Sequence, residues 1–439
     1  MLQKRALGMI ENYVNFCSDH ARGTTCVVAM LQVSGPLEVE LMKQSMALLQ
    51  KKHPLLRASI TRSNDGQDFL QVDKEPVGCP LVVVQRENSG HWKQVYERYL
   101  NETIDKGKRY LWRATLLLNK DGKTPEHELV MYFHHTIIDG LSIGALFKDL
   151  LHYYEMISSG KVPQIDSLPL LPSVDDLLSP KIKWEEHLKK GQVIFSNLSS
   201  IGDHLYPYEQ DAPLHQRKSS VEYYETDEEQ LTRLVNFCKE NGTTLTSLLS
   251  AALLIAVHKV KGGKDSAGTR QHLATTPVDV RNQCNPKVGS ENIGCFVSAV
   301  STLHLIDMET SLLDLSHSFT TEIRKAVQEQ VYATTEFRHK EYTEMLGSLD
   351  MGPFGQKYHL GAGVTNYGVL DIPVHSGPLH CKGFYSGAVR HWGDWLTLMH
   401  AASVGGKLYC CFCYEKPLLS KKSAEAILQE FVSLLNSAV

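Results

Sequence analysis

Between Lys161 and Pro213 the chain changes character, and this break constrains the fold more than any other feature. Pro163, Pro169, Pro172 and Pro180 fall within it. Each lacks a backbone N–H and resists helix interiors and central strands. On either side, strand-like and helix-like segments alternate. The chain has 439 residues, whereas single hydrophobic cores rarely grow past roughly 250–300 residues. The break is therefore read as the link between two lobes. An N-terminal lobe is expected over 1–175, a crossover over 176–215 with a helix near Trp184–Phe195, and a C-terminal lobe over 216–439. The fold class expected is α+β, each lobe a mixed sheet with flanking helices.

Periodicity supplies the elements. Thr24–Val33 reads as a strand, broken at Gly35-Pro36. Leu37–Lys52 reads as a helix with Met42, Met46 and Leu49 on one face. It stops at His53-Pro54, because a residue before proline is pushed out of the helical region. Leu56–Thr61 is a further strand. Leu111–Asn119 and Glu128–His135 form a hairpin through a loop carrying Asp121-Gly122, and a helix over Leu141–Ile157 follows. In the second half a strand is expected over Ser219–Thr226. A helix through Lys239 should open on a capping box of Thr226 and Glu229. Two more helices are expected at Leu245–Val260 and Thr310–Tyr332. Strands are expected at His359–Thr365, Trp395–Ala402 and Lys407–Tyr414, and a last helix over Lys421–Leu435. No short repeat is present, so a solenoid is not supported.

Composition removes several function classes. The net charge is -4, with 42% hydrophobic and 21% charged residues, so neither disorder nor nucleic-acid binding is indicated. The longest apolar stretch, Leu245–Val257, is shorter than the roughly 20 residues needed to span a bilayer and reads as a core helix; no membrane span is expected. Met1–Arg5 leads into a mixed polar stretch rather than an apolar signal core, so a cytoplasmic protein with its ten cysteines reduced is expected. Cys410-Cys411-Phe412-Cys413 invites a metal reading. Strand alternation instead puts Cys411 and Cys413 on one face and Cys410 on the other, as in a buried strand. No metal is expected.

Chemistry concentrates in His134-His135-Thr136-Ile137-Ile138-Asp139-Gly140. Side chains alternate along a strand, so His135 shares a face with Leu129, Met131 and Phe133, while His134 shares the other with Val130 and Tyr132. The two histidines then do not act as a pair. Asp139 is placed to cap the following helix, and Gly140 lets the backbone turn closely beside the histidine. A neutral imidazole at the end of a strand suits general-base work near pH 7.

The spacing His-His-x-x-x-Asp-Gly resembles the active-site signature of the chloramphenicol acetyltransferase superfamily. That superfamily includes the non-ribosomal peptide condensation domains, the plant-type BAHD acyltransferases, the fungal alcohol acetyltransferases and the mycobacterial polyketide-associated acyltransferases. Other stretches agree: His53-Pro54-Leu55-Leu56-Arg57, the strand ending Val278-Asp279-Val280-Arg281, the strand start Asn292–Phe296, and Thr365-Asn366-Tyr367-Gly368. The Asp-Phe-Gly-Trp-Gly motif of the plant enzymes is missing; His391-Trp392-Gly393-Asp394-Trp395 is not that motif. The chain thus looks nearest the alcohol acetyltransferase and polyketide-associated branches.

The resemblance implies two chloramphenicol acetyltransferase-like lobes with an active-site channel between them. It implies an acyl-CoA, most often acetyl-CoA, as co-substrate, with no permanently bound cofactor. His135 would be the general base, and the acceptor it deprotonates would attack the thioester directly in a ternary complex with no acyl-enzyme; no Gly-x-Ser-x-Gly elbow is present to suggest otherwise. The helix after Gly140 would help keep His135 neutral. Asp139 would pair with Arg281 rather than relay charge, and His134 would support the turn. For Asn366 two readings stay open: a group at the oxyanion or channel wall, or a turn residue before Gly368. The acceptor would be a small-molecule alcohol or amine, with a natural-product alcohol leading. No CoA-contacting residue can be assigned, and a monomer is expected. The rivals are a free-standing condensation enzyme forming amides or esters from carrier-protein thioesters, and a non-catalytic two-lobed binding protein.

Overall fold

The computed structural model describes residues 3–76, 78–106, 110–119, 126–178, 206–262, 269–329, 356–358 and 361–439. The expected helix at 184–195, the Asp121-Gly122 turn and the end of the helix expected to reach Tyr332 lie outside the described residues. In the first half the strands are β1 (Gln3–Ala6), β2 (Val27–Ser34), β3 (Ala58–Arg62), β4 (Asp68–Val72), β5 (Leu81–Gln85), β6 (Trp112–Leu118) and β7 (Glu126–Phe133). In the second they are β8 (Tyr206–Pro207), β9 (Lys218–Glu225), β10 (Arg270–Asp279), β11 (Val297–Ile306), β12 (Lys357–Tyr358) and β13 (Ala362–Val369). The last four are β14 (His375–Ser376), β15 (Leu379–Ala388), β16 (Leu398–Val404) and β17 (Lys407–Lys416). The helices are α1 (Met9–His20), α2 (Val39–Lys52), α3 (His91–Leu100), α4 (Gly140–Ser158), α5 (Val174–Leu178), α6 (Glu228–Glu240), α7 (Leu245–Lys261), α8 (Leu312–Gln328) and α9 (Lys421–Ala438).

Two six-stranded mixed sheets carry the α+β architecture. One has the order β14-β15-β2-β7-β6-β5 and the other β11-β10-β13-β16-β17-β9. The first sheet draws on both halves of the sequence. β15 lies antiparallel to β2, from His380 opposite Ser34 to Ala388 opposite Val27. It also packs on β16 and β17 of the other sheet, so the two sheets are joined by chain as well as by contact.

Each sheet is covered by helices whose apolar stripes face it. α2 turns Met42, Met46 and Leu49 inward, and α4 buries Ile143, Leu146, Phe147, Leu150 and Leu151 in the same core. The two helices are tied where α2 ends: Lys52 Nζ and His53 Nε2 each lie 2.8 Å from the Asp149 carboxylate. α7 is apolar around its whole circumference and is buried from Ser247 to His258, as a helix enclosed on all sides must be. Among the described residues, no single helix is long and apolar enough to cross a membrane. None of the ten cysteines forms a disulfide. Cys410 packs in the core with Leu408 and Phe412, while Cys411 and Cys413 face Val28 and Tyr96 on the other side of β17.

Several boundaries differ from expectation, each for a local reason. Leu56 belongs to a 3-10 turn over Pro54–Arg57, and the strand starts at Ala58. Helix α6 is capped by Asp227, whose carboxylate accepts from Gln230 N at 2.7 Å. Thr226, expected as the cap, instead accepts from Leu408 N at 3.0 Å and anchors the helix start to β17. Arg281 stands just beyond β10, which ends at Asp279, and the 291–296 segment is irregular, with β11 beginning at Val297.

Candidate active site

β7 delivers the histidine segment to the face between the two sheets and ends at Phe133. Within β7 the alternation holds: Leu129, Met131 and Phe133 enter one core and Val130 and Tyr132 another. It does not extend to His135, because His134 is the last extended residue and His135 opens a 3-10 turn to Ile137. What separates the two histidines is therefore the turn. His134 is fully buried, and its Nδ1 lies 2.9 Å from Thr136 Oγ1 and accepts from Thr136 N. Burial, with Lys106 and His135 nearby, pushes its pKa down to about 3.

His135 is half-buried. Its pKa is lowered, chiefly by burial and further by the Arg390 cation; its hydrogen bonds to backbone carbonyls of His135 and Ile138, and the Asp139 charge, act the other way. The imidazole is thus neutral near pH 7. Cys295 Sγ lies 3.7 Å from its Nδ1. Burial holds the Cys295 thiol well above its ordinary pKa, so no thiolate nucleophile stands there. A recess walled by Pro54, Leu55, Leu170, Ile293 and Cys295 adjoins this point.

The Asp139 carboxylate is held in a closed polar knot. Its Oδ1 accepts from Ser142 N and Ser142 Oγ, both at 2.8 Å, which caps α4. Its Oδ2 accepts from Phe296 N at 2.9 Å and from Arg281 Nη2 at 2.9 Å. Arg281 and the hydrogen bonds outweigh burial and hold this carboxyl below its ordinary range. Arg281 also donates to Ser142 Oγ at 2.9 Å and to Asp279 Oδ1 at 2.8 Å, and its guanidinium stacks 4.8 Å from the Phe296 ring centroid. Ser142 closes the knot by accepting from Gly294 N at 3.1 Å. The turn after β7 is therefore fixed to the segment after β10, across the two halves of the chain.

Gly140 is required by a neighbour from the other sheet. A Cβ there would sit 2.0 Å from the Tyr367 ring. Tyr367, on β13, reaches His400 Nδ1 on β16 with its hydroxyl at 2.9 Å, and Ser386 Oγ on β15 at 3.3 Å. Asn366 is committed to its own turn: its Oδ1 accepts from Gly368 N at 2.9 Å and its Nδ2 donates to Thr246 Oγ1 at 3.1 Å. These contacts favour the turn reading of Asn366. Among the described residues no cluster of three or more His, Cys, Asp or Glu could hold a metal ion.

The family model described as Condensation domain matches residues 20–346. The chain belongs to the condensation-domain family. It is 26% identical over 279 residues to cyclosporin synthetase simA of Tolypocladium inflatum, covering 61% of this chain and 2% of that protein. It is 22% identical over 302 residues to the phthiocerol/phthiodiolone dimycocerosyl transferase of Mycobacterium ulcerans (strain Agy99), covering 66% of each. The chain thus spans a few per cent of the synthetases that it matches and about two thirds of that transferase. Among solved structures, the TRI3 trichothecene 15-O-acetyltransferase from Fusarium sporotrichioides aligns with a TM-score of 0.77 at 12% identity, covering 100% of this chain and 96% of that one. Polyketide synthase associated protein 5 from Mycobacterium tuberculosis aligns at 0.72 and 19% identity, covering 99% and 98%. The condensation-domain fold, of the chloramphenicol acetyltransferase-like type, therefore covers essentially the whole chain.

In this condensation-domain chain the sequence pattern singled out His134, His135, Asp139, Gly140, Arg281 and Asn366. The structure brings the first five together around one turn and places Asn366 next to Tyr367, which packs on it. It adds Ser142, Cys295, Tyr367, Arg390 and His400, which sequence reasoning missed. Ser142 was the one with a signal, since it stands three residues after the capping Asp139. Cys295 and Tyr367 stand in the stretches Asn292–Phe296 and Thr365–Gly368 but were given no role there, and Arg390 and His400 come from distant segments whose placement no local pattern reveals.

Proposed function

We propose that the protein is an acyl-CoA-dependent acyltransferase that acylates a small-molecule alcohol by direct transfer, with His135 as general base. The observation that carries this reading is the neutral, half-buried His135 at the inter-sheet turn, beside an Asp139 wholly engaged by Arg281, Ser142 and Phe296. In the reaction His135 takes the hydroxyl proton as the acceptor oxygen attacks the thioester carbonyl. The tetrahedral oxyanion collapses, re-forms the carbonyl and breaks the carbon–sulfur bond, and the proton passes to the departing thiolate. The raised pKa of the Cys295 thiol and the full engagement of Asp139 support direct transfer over an acyl-enzyme. The chain shares its whole-length fold with the structure of a trichothecene 15-O-acetyltransferase, which is consistent with an alcohol acceptor.

A carrier-protein thioester as donor is the second reading, favoured by the family model and by the synthetase relatives. The test mixes the protein with acetyl-CoA, longer acyl-CoAs or an acylated carrier protein, and a panel of alcohols and amines, while free thiol is followed with a chromogenic reagent. Thiol release that needs acyl-CoA and an alcohol is the expected result. Release only from the carrier would establish the second reading. No release with any pair would leave a two-lobed binding protein.

A further inference from the structure

His400 is not part of the family motif, yet it stands in the same cluster. It lies on β16, where it pairs with Thr365 of β13 and Cys411 of β17. The Tyr367 ring fills the space over Gly140, and the Tyr367 hydroxyl holds His400 Nδ1 at 2.9 Å, closer than its second partner Ser386 at 3.3 Å. His400 is 5% exposed, and its Nε2 has no hydrogen-bond partner among the described residues. A buried polar atom left in this way is costly unless something else satisfies it.

We propose that His400 is an oxyanion donor: Tyr367 donates to Nδ1, the proton therefore resides on Nε2, and this N–H hydrogen-bonds to the acyl carbonyl oxygen as the acceptor attacks. The inference rests on the acyltransferase reading above and adds to it the group that receives the developing charge. Burial, with Arg390 and His135 nearby, pushes the His400 pKa down to about 3. The ring is thus a neutral donor that does not compete with His135 for the proton. As the acceptor O–H proton moves to His135 and the new carbon–oxygen bond forms, the carbonyl becomes an oxyanion held by His400. On collapse the carbonyl returns, the carbon–sulfur bond breaks and His135 returns the proton to sulfur.

Two measurements on the full-length chain test this. In ¹⁵N-histidine-labelled protein, the His400 signal, identified by its loss in His400→Gln, is expected to report the Nε2–H tautomer in the wild type and to change in Tyr367→Phe. An Nδ1–H tautomer overturns the inference whatever the substrate. With a donor–acceptor pair that the wild type turns over, His400→Leu is expected to lower kcat about 100-fold while KM stays within about threefold. His400→Gln, which keeps an N–H at a similar reach, is expected to recover about tenfold of that loss. An unchanged kcat in His400→Leu, or equal losses in both variants with a raised KM, overturns the oxyanion role. A wild type without turnover on any pair defeats the acyltransferase reading and this inference together; normal turnover by His400→Leu defeats this inference alone.

Discussion

Arg281 Nη2 lies 2.9 Å from Asp139 Oδ2, with both side chains about 5% exposed, and joins residues 142 positions apart in the chain. A buried pair of this kind is not a large net source of stability, but breaking it strands a charge. Asp139→Ala or Arg281→Ala is expected to lower unfolding free energy by about 3–5 kcal/mol. Denaturant titration of each variant checks this. A loss within experimental error of zero would mean that the pair does not clamp the turn.

The contact between Gly140 and Tyr367 predicts a non-additive pair. With the ring 2.0 Å from a Cβ at position 140, Gly140→Ala is expected to cost about 1–3 kcal/mol through overpacking. Adding Tyr367→Leu, which removes the ring, should return part of that cost. A double-mutant cycle by thermal unfolding would show coupling of about 0.5–3 kcal/mol; strictly additive effects would contradict the contact.

The direction of the His135 shift fixes a rate profile. Because burial lowers its pKa from 6.5, the neutral base should predominate at all pH values above that. The logarithm of kcat/KM is expected to rise with unit slope through a midpoint below 6.5 and then to stay flat toward pH 8. A midpoint above 6.5 would show that a different group is the base.

Stability should follow the buried imidazoles. His134 and His400 are both lowered to about 3, so between about 3 and 6.5 the unfolded chain binds protons that the folded chain does not. Stability is therefore full above 6.5 and declines as pH falls through that window, by up to about 1.4 kcal/mol per pH unit for each histidine. Urea midpoints at pH 7.5, 6 and 5 measure the decline, and His134→Asn should make it shallower. A pH-independent midpoint in the wild type would contradict the burial.

The sequence carried those features that follow from local pattern. Helix α2 was legible because Met42, Met46 and Leu49 recur at helical spacing and His53-Pro54 ends the run. The split of Cys410 from Cys411 and Cys413 followed from strand alternation alone. Strand β15 was missed: its Lys382-Gly383 and Ser386-Gly387 break any alternation, and its partner β2 lies some 350 residues earlier in the chain. The His135 turn was located correctly but for an incomplete reason, since alternation stops at His134. Tyr367 is the unconstrained position of the Thr365–Gly368 stretch, and His400 lies in no motif. Their relation to Gly140 exists only after β13 and β16 are paired and laid against the first sheet.

The central claim is that His135 removes the acceptor proton, and the rate of thiol release by His135→Ala tests it most directly. With acyl-CoA and an accepted alcohol, and with the thermal midpoint shown to be close to wild type, the variant is expected to be slower by about 10²–10⁴-fold. Release at the wild-type rate would contradict the account.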